Sequence, residues 1–313
     1  MNIFKLVVLG CSSSLPTAKR NLSSQVVEAG GQLFLIDCGE GTQMQLRRNK
    51  IKFQRIQRIF ISHLHGDHYY GLIGLLSTMN MLGRSTELHI HCPGDLEGMI
   101  NTLLNTSETK LRYPVVYHHL NFVSGDVLYE SNRLKVESIQ LNHRVPCSGF
   151  LFREKIGTRK LKPDAIVKYN IPVIDREAIK NGGDFCSEDG VVVPNQEITL
   201  SPPAPRSYAY CSDTAYFESV VNDVADVDLL YHEATFMDSH IERAEETYHS
   251  TAKQAATIAY KANVKQLVLG HFSARYKELE PLLMEARTIF QNTELAEDGK
   301  VFEVSNQPLS IKA

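Results

Sequence analysis

Short apolar runs dominate the first part of the chain. Segments 3–9, 24–28, 33–37 and 58–62 are rich in β-branched or large apolar residues and stop at Gly, Asp or Ser, so they predict strands. From 69 to 82 the period lengthens. Leu72, Leu75, Leu76 and Met79 recur at helical spacing, and a second helix is expected after Pro93. Strands resume at 88–91, 115–120, 127–129, 134–141 and 149–152. The stretch 153–205 breaks this rhythm: its charges are mixed, it has little sustained apolar periodicity, and it ends in Ser201-Pro-Pro-Ala-Pro205. It predicts an inserted arm with one or two short helices near 163–180. Beyond it come a strand at 208–212, a helix at 215–224, a strand at 227–232, a helix at 250–261, a strand at 266–269, a helix at 278–290 and short closing strands. No fixed-period repeat is visible. Strand runs mixed with helices point to an α/β or α+β sandwich with helices outside two sheets. The organisation expected is a single domain over 1–313 that carries the arm.

Bulk numbers narrow the classes. With 43% hydrophobic and 22% charged residues, 313 residues can bury a sizeable core. The most apolar stretch, 71–83, is interrupted by Ser77, Thr78 and Asn80, so no membrane span is expected. The N-terminus reads as a strand ending in a glycine turn; it lacks the basic region and cleavage site of a signal peptide. The six cysteines form no CxxC pair and are predicted to be free, mostly buried thiols of a cytoplasmic protein. A net charge of −3 argues against a general nucleic-acid binder. The distribution is more telling, because 41–66 holds no acid while Arg47, Arg48, Lys50, Lys52, Arg55 and Arg58 are all basic. Two readings stand: a solvated helix end and loop, or a phosphate-facing patch before the motif that follows.

That motif is Ile59-Phe-Ile-Ser-His63-Leu-His65-Gly-Asp67-His68. Extended backbone puts His63 and His65 on one side, and Gly66 permits a turn that returns Asp67 and His68 towards the same point. So short a stretch cannot give two ions a closed set of four ligands each. Positions remain for distant ligands and for water, as a catalytic site requires. A lone histidine is usually structural; three with an aspartate at this spacing are far more specific.

The motif resembles the signature of the metallo-β-lactamase superfamily, and further matches point to its ribonuclease Z branch. They are Ser13-Ser14-Leu15-Pro16-Thr17 with Arg20-Asn21 and Ser23-Ser24; 35–43 around Asp37; His232-Glu233-Ala234-Thr235; His249-Ser250-Thr251 with Gln254; and 270–276 around His271. The resemblance implies an α+β fold, the αβ/βα sandwich of two mixed sheets with helices on the outer faces. It also implies two Zn²⁺ per subunit. His63, His65, His143 and Asp213 would hold one ion, and Asp67, His68, Asp213 and His271 the other. Asp37, between a strand and a helix expected from Glu40, reads as a capping or supporting residue rather than a ligand. Cys38, Cys147 and Cys211 read as packing.

Two dications outweigh two aspartates and a hydroxide, a charge balance suited to one phosphodiester. Zinc lowers the pKa of its water to about 7. Asp67 is placed to orient the attacking water and accept its proton. By the family pattern, His249 protonates the leaving oxygen while Glu233 fixes its tautomer. The arm, with Arg153, Lys155, Arg159, Lys160, Lys162, Lys168, Arg176 and Lys180, resembles the family's tRNA-clasping exosite. Where many relatives carry a Gly-Pro pair it reads Asn170-Ile-Pro-Val-Ile-Asp175, so a different tip is expected. The function implied is endonucleolytic removal of 3′ trailers from precursor tRNA, leaving a 3′-hydroxyl, by a homodimer. The alternatives are a small-molecule phosphodiesterase or arylsulfatase on the same scaffold, and a non-catalytic RNA-binding protein.

Overall fold

A computed structural model describes residues 3–305. The chain divides into two compact units, 1–153 with 206–313, and 154–205.

In the larger unit the first strands are β1 (Lys5–Gly10), β2 (Ser24–Ala29), β3 (Gln32–Ile36), β4 (Ile56–Phe60), β5 (Leu88–Cys92) and β6 (Val115–His119). Then come β7 (Val127–Glu130), β8 (Leu134–Leu141) and β9 (Cys147–Glu154). The smaller unit holds four two-residue strands, β10 (Lys160–Leu161), β11 (Phe185–Cys186), β12 (Val192–Val193) and β13 (Thr199–Leu200). The chain returns through β14 (Ser207–Cys211), β15 (Leu229–Glu233), β16 (Gln266–Gly270), β17 (Thr293–Leu295) and β18 (Val301–Glu303).

Two seven-stranded sheets result, ordered β18-β1-β2-β3-β4-β5-β6 and β17-β16-β15-β14-β9-β8-β7. Both are mixed: β3 to β6 run parallel, as do β14 to β17, with antiparallel pairs beyond them. Alternation along the strands explains the layering. Leu6, Val8, Phe34 and Phe60 of the first sheet share a core with Val136, Phe150, Phe152 and Tyr208 of the second. Their neighbours Val7, Leu35, Ile59 and Ile90 face the other way, under Leu72, Leu75, Leu76 and Met79 of helix Leu72–Met81. Helix Ala252–Lys261 buries Ala252, Ala255, Ala256 and Ala259, small side chains that allow close approach to β15 and β16. Its start is fixed by a reciprocal cap between Thr251 and Gln254.

Most predicted elements form with ends shifted by a residue or two. The helix expected over 215–224 is an exception, with only Val220–Asp223 helical. Its first residues are drawn to the loop after β8, where Ala215 donates to the Asn142 carbonyl at 2.8 Å and Asn142 to Thr214 Oγ1 at 3.1 Å. Helix Ile241–Thr247 is absent from the prediction because it buries only Ala244 and shows no apolar stripe.

The smaller unit has a core of its own, in which Ala165, Ile171, Ile179, Phe185, Val193 and Ile198 meet. Its helices are Pro163–Lys168, Arg176–Lys180 and the single turn Asn195–Ile198. At its tip Val173 and Ile174 are exposed, and Asn170 takes a φ of 49°.

Candidate metal centre

The ligand-type residues leave the carboxyl ends of strands in both sheets. His63 and His65 follow β4, and Asp67 and His68 sit in the single turn Gly66–Tyr69. His143 follows β8, Asp213 follows β14, His271 follows β16, and Glu233 closes β15. Loops at the carboxyl ends of parallel strands are the usual home of sites in such sheets.

They converge as two groups. One holds His63, His65, His143 and Asp213; the other holds Asp67, His68 and His271, and within each group the ligand atoms lie within 4.8 Å of one another. Asp213 joins both, with Oδ2 at 3.6 Å from His63 Nε2 and 3.8 Å from His143 Nε2, and Oδ1 at 3.3 Å from His68 Nε2 and 3.2 Å from His271 Nε2. His249, with Asp213 and His271, forms a third group.

The imidazoles show which atoms are offered to an ion. His68 Nδ1 meets Asp37 at 2.8 Å, His143 Nδ1 the Tyr248 carbonyl at 2.8 Å, His271 Nδ1 Thr235 Oγ1 at 2.9 Å, and His63 Nδ1 Ser62 Oγ at 3.0 Å. Those contacts turn Nε2 of each ring inward. His65 is reversed, with Arg144 at 3.2 Å from Nε2 and Nδ1 facing the group. Ring nitrogens then stand 3.0 to 3.3 Å apart, as for His63 and His65 or His68 and His271, and buried Asp213 Oδ1 has no hydrogen-bond partner. Unpaired electron pairs and an orphaned carboxylate oxygen around one point fit divalent cations.

Electrostatics agree with that fit. Burial lowers the pKa of His63, His65 and His143, favouring the neutral ring that a metal needs. Burial also opposes charge on His68, yet Asp213, Asp67 and Asp37 outweigh it and hold its pKa well above the ordinary value. Burial opposes charge on Asp213 in turn, but His271, His68 and His63 keep its carboxyl well below the usual range.

Asp37 does not cap a helix, since helix Thr42–Arg48 begins after Gly41 without a side-chain cap. Fully buried at a φ of 53°, it accepts from Ser62 N at 2.8 Å, Ser62 Oγ at 3.0 Å and Tyr210 OH at 2.6 Å besides His68. It is the anchor on which the motif loop is hung.

Glu233, also fully buried, takes five donors: His249 Nδ1 at 2.8 Å, Thr214 N and Ser250 N at 3.1 Å, Thr235 N at 2.9 Å and Thr235 Oγ1 at 2.8 Å. Burial lowers the His249 pKa, but the charge and hydrogen bond of Glu233 override it and push it up to about 9. In the metal-free protein His249 therefore carries its proton at neutral pH.

The cysteines near these motifs are free and buried. Cys147 Sγ lies 3.6 Å from His63 Nδ1, on the side away from the ligand atoms, and burial first, then Asp213, raises its pKa well above the ordinary value. Apart from half-buried Arg58, which stacks 4.2 Å over the Tyr129 ring, the basic run has the solvated role. Helix Thr42–Arg48 crosses back from β3, so Arg47 and Arg48 lie at its far end. Lys50, Lys52 and Arg55 gather with Lys5 and Glu28 where β1 and β4 begin, opposite the ligand loops. Arg55 pairs with Glu28 at 3.3 Å. Ser62, Tyr210, Thr235 and Arg144 are the supports that sequence reasoning missed. Only Arg144, a cation directly after His143, carried a local signal.

Residues 4–162 match the family described as Anti-Pycsar protein Apyc1. Ribonuclease Z of Bacteroides fragilis is 49% identical over 299 residues, covering 96% of this chain and 98% of that protein. Ribonuclease Z of Bacteroides thetaiotaomicron is 47% identical over 306 residues, covering 98% and 97%. The crystal structure of human tRNase Z, short form, superposes with a TM-score of 0.70 at 28% identity, covering 96% of this chain and 99% of that one. The metallo-β-lactamase fold protein YhfI from Bacillus subtilis, at 19% identity and a TM-score of 0.67, shares the fold. With relatives near half identity almost end to end, the chain belongs to the ribonuclease Z family on the metallo-β-lactamase fold, its N-terminal half also meeting the Apyc1 description.

Proposed function

We infer that the chain is a metal-dependent endoribonuclease that removes 3′ trailers from precursor tRNA. The observation that carries this reading is the nearly end-to-end match to ribonuclease Z relatives, which spans all seven candidate ligands as well as Glu233 and His249.

His63, His65, His143 and Asp213 would hold one Zn²⁺, and Asp67, His68, Asp213 and His271 a second. Bound there, the pair would polarise the phosphodiester and lower the pKa of the attacking water. Asp67, whose side chain is 9% exposed, accepts the proton of that water at Oδ. Water adds to phosphorus as the bond to the 3′ oxygen breaks. His249 delivers its proton to that oxygen, which stays on the tRNA as a 3′-hydroxyl, and the trailer keeps the phosphate. Glu233 holds Nδ1 of His249 at 2.8 Å and so leaves Nε2 to face the leaving group.

The arm supplies the grip. A hollow of about 380 Å³ within it is lined by Arg159, Lys160, Arg176 and Lys180 and by no acid, which suits backbone phosphates. A homodimer is the assembly we favour: Met44, Tyr70, Met81, Leu82 and Leu103 stand exposed on or beside the helices that cover the first sheet. Free thiols and the tRNA substrate favour a cytoplasmic place, and among the described residues no helix is long and apolar enough to cross a membrane.

The deciding experiment incubates purified protein with a 3′-extended tRNA, and separately with bis(p-nitrophenyl) phosphate, with and without chelator. One mapped cut at the tRNA 3′ end, lost with chelator and restored by Zn²⁺, is expected. Turnover of the small ester beside intact precursor tRNA would sink the nuclease reading.

A further inference from the structure

We propose that the Tyr231 hydroxyl is the positioning group that fixes His271 in its left-handed backbone conformation and so preserves the second metal subsite; this rests on the metal centre argued above. His271 has a φ of 58°, a region that residues with a Cβ disfavour. The turn brings Nδ1 and the carbonyl oxygen of the same residue onto one hydroxyl, Thr235 Oγ1, at 2.9 and 3.0 Å. Nε2 then faces Asp213 Oδ1 at 3.2 Å.

The backbone N–H of His271 is the remaining handle. It faces the hydroxyl oxygen of Tyr231 on the neighbouring strand β15, as does the side-chain amide of Gln25. The Gln25 carbonyl oxygen in turn accepts from Tyr208 OH. A dry chain therefore runs from β2 and β14, through Tyr231, to the backbone of a ligand, and both tyrosines are at most 2% exposed. Phenylalanine would fill the same space with no polar atom to satisfy, so the oxygen is there for its bonds. The approach requires Gly270, because a Cβ there would stand 1.9 Å from that oxygen. In the strand, Gly270 is the gap through which Tyr231 reaches its neighbour's amide.

Tyr231→Phe removes the oxygen and keeps the ring. Zinc affinity is read by competition between metal-free protein and a chromogenic chelator, and the thermal midpoint of the metal-free protein is read alongside. One of two zinc equivalents should weaken roughly 10–100-fold, the range for a lost support of a ligand, while the other is held as before. Gly270→Ala, which displaces the oxygen with the tyrosine in place, should lose the same equivalent. A merely structural tyrosine would lower the midpoint and leave both affinities alone, and that result overturns the proposal. So does loss of zinc by Gly270→Ala with full retention by Tyr231→Phe. Unaltered protein that takes up no zinc overturns the metal-centre reading with it, whereas unaltered protein binding two, matched by Tyr231→Phe, overturns this inference alone.

Discussion

Histidine offers two nitrogens, and in this protein their division separates ligand from support. Asp37, Ser62, Thr235 and the Tyr248 carbonyl each occupy one nitrogen of a ring whose other nitrogen faces the cluster. Replacing His65 by Ala removes a donor atom, so metal content and tRNA cleavage should fall together, by more than the roughly 10–100-fold expected of a support, with only a modest change in thermal midpoint. Asp37→Ala should do the reverse. It strands four buried donors, costing roughly 3–5 kcal/mol of stability, while zinc affinity drops only within that 10–100-fold range. Chemical denaturation and metal titration of the two variants distinguish these outcomes. The candidate ligands His63, His65, Asp67 and His68 were legible because spacing and turn chemistry in 63–68 are local. The supporting role of Asp37 was one of the two readings open to it, but its partner Tyr210, 173 positions away on another sheet, was not legible. His249 adds a pH signature. Its pKa in the folded metal-free protein, about 9, lies above its ordinary 6.5. The protonated His249–Glu233 pair is therefore fully stabilising below about pH 6.5, and its contribution, on the order of 2 kcal/mol, is lost as pH rises through about 9. Thermal unfolding of metal-free protein across that window should show the loss, and His249→Asn should flatten it.

At the scale of elements, alternation and helical period located nearly every strand of both sheets and the helices that carry an apolar stripe. They failed where a segment has no such face, as in helix Ile241–Thr247, or where neighbours claim its backbone, as at 214–217. The arm was visible as a break in pattern, but its own core was not, because two-residue strands show no period. Its charges separate along the chain: the seven cations between 155 and 180 give way to a stretch, 181–205, with four acids and no Lys or Arg. Arg153 and Ser207 pair directly across β9 and β14, so the arm is an insertion into what would otherwise be a hairpin. Replacing 154–206 by a tight turn should leave the sheet intact. Precursor tRNA binding should then weaken by at least about tenfold at 0.1 M salt and lose part of its salt dependence, while hydrolysis of bis(p-nitrophenyl) phosphate changes little. Unchanged tRNA affinity in a gel-shift titration would remove the arm from the substrate contacts.

The whole larger unit is organised by two sheets whose loops meet at one edge of the sandwich. His63, His65, Asp67 and His68 come from the first sheet, and His143, Asp213 and His271 from the second. This pairing was accessible to sequence reasoning only through family likeness, because no local pattern says which distant loops will touch. Its consequence is mechanical. Ions gripped from both sides would act as a rivet through the rim of the sandwich, while the rim where β1 and β4 start rests on apolar packing and the ion pairs of Glu28 with Lys5 and Arg55. Stripping the ions should therefore let the structure breathe at one end only. Amide exchange should quicken for residues 61–65, 142–144 and 212–214 and stay slow at the opposite rim, so the protein would report its metal load as a gradient of protection along its strands.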